Sequence, residues 1–503
     1  MNARAFDVAV YGATAGGVLA AVAAARLGVQ TLLVEPGRHV GGMVSGGLGR
    51  TDMDRQQHVI GGLAREFFVQ VGGHYGAAIV WHFEPSVAQA VLERWLEEAK
   101  VEVVLQAGRG SVEMHDGTIV ELDTRDCGRF AAEVWIDSSY EGDLMAGAGV
   151  SHVQGRDGRT RYGESLAGRQ EILPNAHQFR KAVDARRADG RLLPSVQPYG
   201  DLGLLGEGDG RLQSYCFRLC LTRDAMRGLP IDPPAGYASE RYELLARYLH
   251  ALGEEATIRD FLGIAELPND KVDVNSGGPV STNLLGASWR YPQADAEGRA
   301  AIIGQHLAWA QGLLHFLASD RQVPHSLRRQ VAAYRLPRDE FVTSDHWPPQ
   351  LYVREARRML GEHVLTQHDL ERQRTKYDSI GMGGYNIDIR EVQWVAAPIS
   401  RFPEIHDEVL VEGYLSVPVQ PYEIPYRSLL PLEAECANLL VSGCISASHV
   451  AYASYRMEPQ FMIAGHSAGV AAALAVRSGV GVHRVELARL QSELERQGQV
   501  LRR

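Results

Sequence analysis

The chain has 503 residues, 45% hydrophobic and 22% charged, with a mean hydropathy of −0.17 and a formal charge of −10 from 51 basic and 61 acidic side chains. This is a globular composition with material for two or three domains at about 150 residues each, and it excludes intrinsic disorder as the main state. The acidic balance leaves no basic footprint for nucleic acid or anionic lipid, and Cys127, Cys216, Cys220, Cys436 and Cys444 form no CxxC pair, so neither a zinc site nor a disulfide framework is expected.

Residues 8–25, VAVYGATAGGVLAAVAAA, have the greasiness of a secretion signal, but they carry a glycine cluster, end at Arg26 and run straight into a second apolar strand pattern. No other stretch reads as long enough to span a bilayer, so a soluble, cytoplasmic protein is expected. Phe6–Tyr11 reads as a strand, Gly12–Gly17 as a turn, Val18–Leu27 as an alanine-rich helix stopped by Gly28, and Thr31–Val34 as a second strand closing at Glu35–Pro36. That is a βαβ start, and it predicts a parallel sheet. A glycine-dense loop, Gly41–Gly49, is read as mobile. Helices follow at Gly62–Gln70 and Pro85–Ala99, then strands at Val101–Leu105, Ser111–His115, Thr118–Asp123 and Ala132–Asp137. Residues 155–210 are rich in Gly, Arg and Asp with weak periodicity and mark the exit from the first domain. The middle is mixed, with helices at Ser239–Ala251 and Ala300–Ala318 and antiparallel strands near Gln213–Leu221 and Val409–Val417. From Cys436 the α/β character returns: Asn438–Ser442 is a strand and Gln460–Val476 a helix, with Pro459 in its first turn and Gly479 at its end. The expected organisation is one domain from residues 1–165 together with 425–503, and a second from 166–424.

The strongest motif is Gly12-Ala13-Thr14-Ala15-Gly16-Gly17, placed between a strand and a helix. A dinucleotide's diphosphate needs a tight turn, close backbone approach and free N–H groups at a helix N-terminus, which glycines and the helix end supply. Thr14 occupies the third position, so the strict GxGxxG pattern is not met. Glu35 stands 18 positions after Gly17, where a carboxylate accepts both ribose hydroxyls and repels a 2′-phosphate, disfavouring NADP. Gly41–Gly49, Trp135–Asp143 with Ala148-Gly149, and Asn438–Cys444 then distinguish FAD from NAD as the expected cofactor.

These stretches resemble the glutathione-reductase-type flavoproteins, and more closely the FAD-dependent oxidoreductase family marked by G-x-x-x-G-G at the start and S-x-R-M-E-P near the end, here Ser454–Pro459. Leu336-Pro337-Arg338, Tyr352–Arg358 and Gly381–Asp388 (GMGGYNID) match as well, and the resemblance covers most of the chain except about 155–300. It implies an α/β fold in which a Rossmann-like FAD-binding domain carries an inserted mixed α+β substrate or cap domain. By that resemblance Gly12, Thr14, Ala15, Gly16, Gly17, Glu35 and Pro36 hold the ADP half, and Gly41, Gly42 and Met43 line the flavin side. Asp137 lies on the strand that returns to the cofactor. Gly443 and Cys444 approach the ribityl chain, with no side-chain bond expected from Cys444, which stands where relatives often have an acid. The tail helix, starting near Met457 and Pro459, aims N–H groups at the flavin pyrimidine, while Gly465, Ala468 and Gly469 stay small so that helix and cofactor can approach. His39 precedes the glycine loop where some related flavoproteins bind flavin covalently, but its surroundings differ.

On the substrate side, His449 and Tyr452 are candidate proton-transfer groups over the flavin and Arg456 a candidate carboxylate or oxyanion binder. Tyr385, Asn386 and Asp388 form a polar cluster, and Arg338 and Arg354 are further anion candidates. Gly465-His466-Ser467-Ala468-Gly469 is a literal G-x-S-x-G, but no acid followed by a histidine comes after Ser467, so hydrolysis is not expected. The expected function is hydride transfer between a small polar substrate and flavin N5, with another acceptor reoxidising the flavin. No second glycine fingerprint appears, which favours a dehydrogenase or oxidase. The alternatives are a monooxygenase using external NAD(P)H and a flavin-binding protein that does not turn over. A homo-oligomer is compatible with the sequence; the acceptor is not determined by it.

Overall fold

Strand β1 (Arg4–Tyr11) ends in four consecutive buried residues and β2 (Thr31–Val34) is buried throughout. Strands so apolar need cover on both faces, which is the condition of a parallel sheet. The computed structural model describes residues 3–51, 53, 56–124, 126–371, 375–398 and 405–502. In it, β1 pairs in parallel with β2 (Tyr11 opposite Val34) and with β6 (Gly128–Asp137; Tyr11 opposite Asp137), and β2 pairs in parallel with β3 (Glu102–Val104). The other edge of β6 is shared. Its first residues meet β5 (Thr118–Thr124), which continues antiparallel into β4 (Ser111–His115), while Trp135–Asp137 pair in parallel with β7 (Leu439–Val441) from the far end of the chain. The order is β3-β2-β1-β6-β5-β4, with β7 beside β6. Period-two alternation splits β1 between two cores: Val8 and Val10 join the larger one, Ala9 and Tyr11 the smaller one on the opposite face, with Trp135, Leu439 and Val441.

Helix α1 (Ala15–Arg26) begins three residues before its expected start, because Thr14 caps it by accepting the Gly17 N–H at 3.1 Å. Helices α2 (Gly62–His74) and α3 (Pro85–Glu98) follow, then α4 (Ala296–Ser319), α5 (His449–Tyr455) and α6 (Glu458–Ser478). The last runs two residues beyond its expected bounds at each end and stops at left-handed Gly479. By length and composition α6 is able to cross a membrane, which corrects the expectation that no later stretch reaches that length. Its apolar window is 94% buried inside the protein, where it packs on α1 as a core helix.

The intervening chain builds smaller sheets. Leu219–Thr222, Lys271–Ser276 and Leu262–Glu266 form one, and Val196–Pro198, Gln393–Ala397 and Glu408–Glu412 another. Only the end of the expected strand at Gln213–Leu221 is regular; Tyr215 and Cys216 make isolated bridges to Leu284 and Tyr352 instead. The expected strand at Val409–Val417 is broken by Gly413, at φ +99°, into Glu408–Glu412 and Leu415–Val417, which pair with different partners. Gly41–Gly49, read as a mobile loop, is buried along its whole length.

Candidate functional site

A groove of about 350 Å³ opens where β1 and β2 end, lined among others by Gly12, Thr14, Glu35, Arg109, Ser139 and Arg299. Gly12 sits at φ +93°, and a Cβ there would come within 2.8 Å of the Ser139 backbone, so the turn requires glycine on two counts. Thr14 stands in for the missing glycine by closing the turn with its side chain, donating to the Ser138 carbonyl at 2.8 Å. Glu35 accepts the Ala13 N–H at 2.7 Å and the Gly37 N–H at 2.6 Å; burial, opposed by these two bonds, pushes its carboxyl up to about 7. A carboxylate has about four lone-pair sites, so capacity remains for a ribose hydroxyl. Pro36 follows it on the groove wall, and Ala15, Gly16 and Gly17 form the buried first turn of α1.

Asp137 spends both oxygens within the protein, on Ser139 N and Oγ and on Met145 N, and burial pushes it up to about 6; it shapes the groove by fixing the Ser139 turn. Next to that turn Asp143 takes Arg299 at 2.6 Å, Arg357 at 2.9 Å and Arg109 at 3.2 Å. Glu141 accepts from the Tyr291 hydroxyl at 3.0 Å, and Arg109 and Arg299 line the groove together with Glu35, Glu141 and Asp143. A glycine turn, a helix N-terminus and two guanidiniums, Arg109 and Arg299, in one groove fit a diphosphate. A second cavity of about 960 Å³ shares Pro36, Gly37, Gly108 and Arg109 with the first and extends the room available to a long nucleotide.

The glycine loop is tied down beside this groove. Gly41 N–H donates to Ala13 O at 2.7 Å, and Met43 N–H donates to the Tyr140 hydroxyl at 2.9 Å. That hydroxyl in turn donates to Glu458 Oε1 at 2.7 Å, and a Cβ on Gly42 would overlap it. Burial pushes the Glu458 carboxyl up to about 8, and its Oε2 has no partner. His39 Nε2 lies 2.9 Å from Ser45 Oγ. Gly443 is pressed against the Ser139 carbonyl, and Cys444 Sγ lies 3.3 Å from Tyr140 O, with its thiol pushed well up by burial. The Cys444 side chain thus packs into the turn. Two expectations change here. The Gln460 and Phe461 N–H groups of α6 donate to Met457 O, so the helix start closes on buried Met457 and offers fewer free donors than expected. Gly465 turns onto α1, where a Cβ would overlap the Gly16 carbonyl, and Gly469 does the same at Ala20, so both serve helix packing instead of cofactor approach.

His449, Tyr452 and Arg456 follow one another at helical spacings of three and four on α5 and its end, and so share a face. Ser448 caps the helix by accepting the Ala451 N–H at 3.1 Å. His449 Nδ1 lies 2.9 and 3.0 Å from the two oxygens of Glu355, its backbone N–H donates to Asp157 at 2.9 Å, and its buried Nε2 has no partner. Burial alone would raise the Glu355 carboxyl, but His449 and Arg358 beside it hold it down at about 2. Gln213 donates to it as well, at 3.0 Å. Tyr452 spends its hydroxyl on Gly443 O at 3.2 Å. Arg456 donates to the Tyr352 hydroxyl at 3.1 Å and to Asp388 at 2.7 and 2.9 Å, keeping its Nε unbonded. Half-buried Tyr385 and Asn386 flank Asp388; the Tyr385 carbonyl accepts from Ser454 and Asn386 donates to Ser416 at 3.4 Å. Arg338 is exposed and bonded through its backbone to Arg227, apart from this set. Ser467 lies within α6, donating to Ile463 O and Ile380 O at 2.9 Å, and has none of the exposure of a nucleophile elbow.

A family model described as FAD dependent oxidoreductase matches residues 7–494. The chain belongs to the FAD-dependent oxidoreductase family. It is accordingly an enzyme, and FAD is its cofactor. No curated protein matches it. Among solved structures it is similar to thioredoxin reductase from T. acidophilum (18% identity, TM-score 0.18, covering 27% of this chain and 35% of that one). It is similar also to the OxyS anhydrotetracycline hydroxylase from Streptomyces rimosus (11%, TM-score 0.27, 54% and 44%) and to the myxobacterial chondrochloren halogenase CndH (12%, TM-score 0.37, 98% and 79%). The chain spans little more than a third of the length of the first two solved structures it matches, 35% and 38%.

Several groups of this FAD-dependent oxidoreductase were not singled out from sequence: Glu355, Gln213, Tyr140, Glu458, Arg299 and Arg357. Glu355 and Glu458 lie inside quoted motifs, and a single acid flanked by arginines in Arg354–Arg358 was the available signal for Glu355. Gln213 and Arg299 carry no local pattern; only the tertiary structure brings them to the site.

Proposed function

We propose that this oxidoreductase is a dehydrogenase or oxidase of a small polar substrate, with His449 as the base that takes the substrate's proton. The observation that carries the reading is the buried His449–Glu355 pair. Glu355, held ionised by Arg358, fixes the imidazole with Nδ1–H toward the carboxylate, which leaves the Nε2 lone pair to accept a proton. The same carboxylate then stabilises the imidazolium, in a setting with little water to weaken the attraction. Gly12, Thr14, Gly16, Gly17 and Glu35 hold the ADP half of the cofactor, while Gly41–Met43 and Gly443 lie toward its flavin half. FAD, when bound, supplies the hydride acceptor. Arg456 and Tyr352 orient the substrate from the other side of Tyr452, while Tyr385, Asn386 and Asp388 form the rim.

The test is an anaerobic screen of sugars, polyols, amino acids and carboxylates, scored by loss of the yellow colour. Wild type is expected to bleach with at least one class without added NAD(P)H. His449→Ala is expected to keep its flavin and bleach about 10²–10⁴-fold more slowly. An unchanged rate removes His449 from the mechanism. Bleaching that needs NAD(P)H replaces the reading with a monooxygenase.

A further inference from the structure

We infer that the substrate carries a carboxylate, which docks on a cluster of three arginines, Arg354, Arg390 and Arg456. This rests on the proposed function, whose substrate side it specifies. Arg456 has Asp388 as its acid at 2.9 Å, and Arg390 has Glu391 at 3.1 Å. Arg354 makes no ion pair of its own: its hydrogen bonds go to Ser214 O and, at 3.3 Å, to Cys216 Sγ, and the acid that feels its charge is Glu391, which Arg390 already bonds. Among the described residues the cluster therefore holds three guanidiniums against two carboxylates. Glu355, next in sequence to Arg354, is already engaged by Arg358 and His449.

The three cations are neighbours: the charge of Arg390 acts on Arg456, and Arg354 and Arg390 both act on Glu391. Arg354 lies 4.7 Å and Arg456 5.9 Å from the ring centre of the same Tyr352, and Arg390 lies 5.6 Å from that of Tyr414. Arg354 and Arg456 are each 2% exposed, and the Nε atoms of Arg390 and Arg456 are buried without a partner. The cluster thus combines one guanidinium without an ion pair of its own, Arg354, with unused Nε donors on Arg390 and Arg456, and a planar anion answers both. The cluster adjoins the proposed base: Gln213 accepts the Arg390 backbone N–H at 3.2 Å with its oxygen and donates to Glu355 with its nitrogen. Half-buried Asn386, Asp388 and Tyr414 stand on its outer side.

The experiment uses the FAD-loaded protein and three matched pairs of probes: acetate and acetamide, lactate and lactamide, succinate and succinamide. Binding is read from the melting temperature and the visible flavin spectrum. At least one carboxylate is expected to bind about tenfold or more tightly than its amide, the effect of one charge-assisted pair. Arg354→Gln, which removes the surplus charge, is expected to reduce that preference to within about twofold while keeping FAD; Arg354→Lys is expected to keep it. Arg390→Gln serves in the same way if the first variant does not fold. Equal binding of acid and amide in all three pairs overturns the inference, as does a preference that survives Arg354→Gln. Loss of FAD from Arg354→Gln overturns it too, by assigning the cation to the cofactor. A wild-type protein that bleaches with no substrate defeats the proposed function and leaves the acid–amide comparison readable on its own.

Discussion

Glu458 enters α6 with its carboxyl buried, one oxygen bonded to Tyr140 and the other to nothing. Its folded value of about 8 lies above the ordinary 4.5, so between those two pH values the folded chain holds a proton that the unfolded chain has lost. Stability is therefore expected to fall as pH rises from 4.5 to about 8, and Glu458→Gln should remove that part of the slope. Denaturation midpoints of flavin-free wild type and variant at about pH 5 and 8 check it; parallel slopes reject the role. Glu355 has the opposite sign. Held at about 2, below its ordinary 4.5, it favours the fold above pH 4.5, and that contribution is lost as pH falls toward 2. At the groove, Glu35→Ala is expected to weaken FAD binding by about 1–3 kcal/mol, the loss of a charged hydrogen bond to the ribose. The flavin-to-protein absorbance ratio across an FAD titration measures it, and an unchanged affinity sinks the assignment.

The packing of α1 on α6 governs the next scale. Gly465 and Gly469 face the Gly16 and Ala20 carbonyls closely enough that any side chain forces the helices apart. Gly469→Val is expected to destabilise by about 1–3 kcal/mol or more, since the obstacle is backbone. A shifted urea midpoint with FAD affinity nearly unchanged would mark this as packing; a selective loss of FAD would return the glycine to the cofactor. The sequence showed the βαβ start, the tail strand and the tail helix because each announces itself locally, through an apolar run, an alanine face, a proline at the start or a glycine at the stop. It pointed to His449, Tyr452 and Arg456 as candidates because they sit next to that helix. It concealed what residues far apart do to each other: that Glu355 and not a neighbour fixes His449, that Arg456 is already paired with Asp388, that a loop of glycines is a buried wall, and that the small residues of α6 serve α1. Thr14 departs from the glycine pattern, and its hydroxyl caps the helix and closes the turn at that place.

On the scale of the molecule, bound FAD is expected to add stability by mass action. At a free concentration of about 100 times its Kd the gain is about 2.7 kcal/mol, so the melting temperature should climb with added FAD in wild type and less at the same concentrations in Glu35→Ala. A melting temperature indifferent to FAD would contradict the groove. The sheet that frames this groove takes its central strands from residues 4–137 and its last parallel strand from 439–441. During synthesis the face of α1 destined for α6 must then wait while roughly 400 further residues are added, on the order of 20–80 s at common ribosomal rates. For that interval the nascent chain presents an uncovered alanine and valine surface, and a helper that shields it, or a pause that lengthens the wait, would decide how much of the enzyme ever becomes yellow.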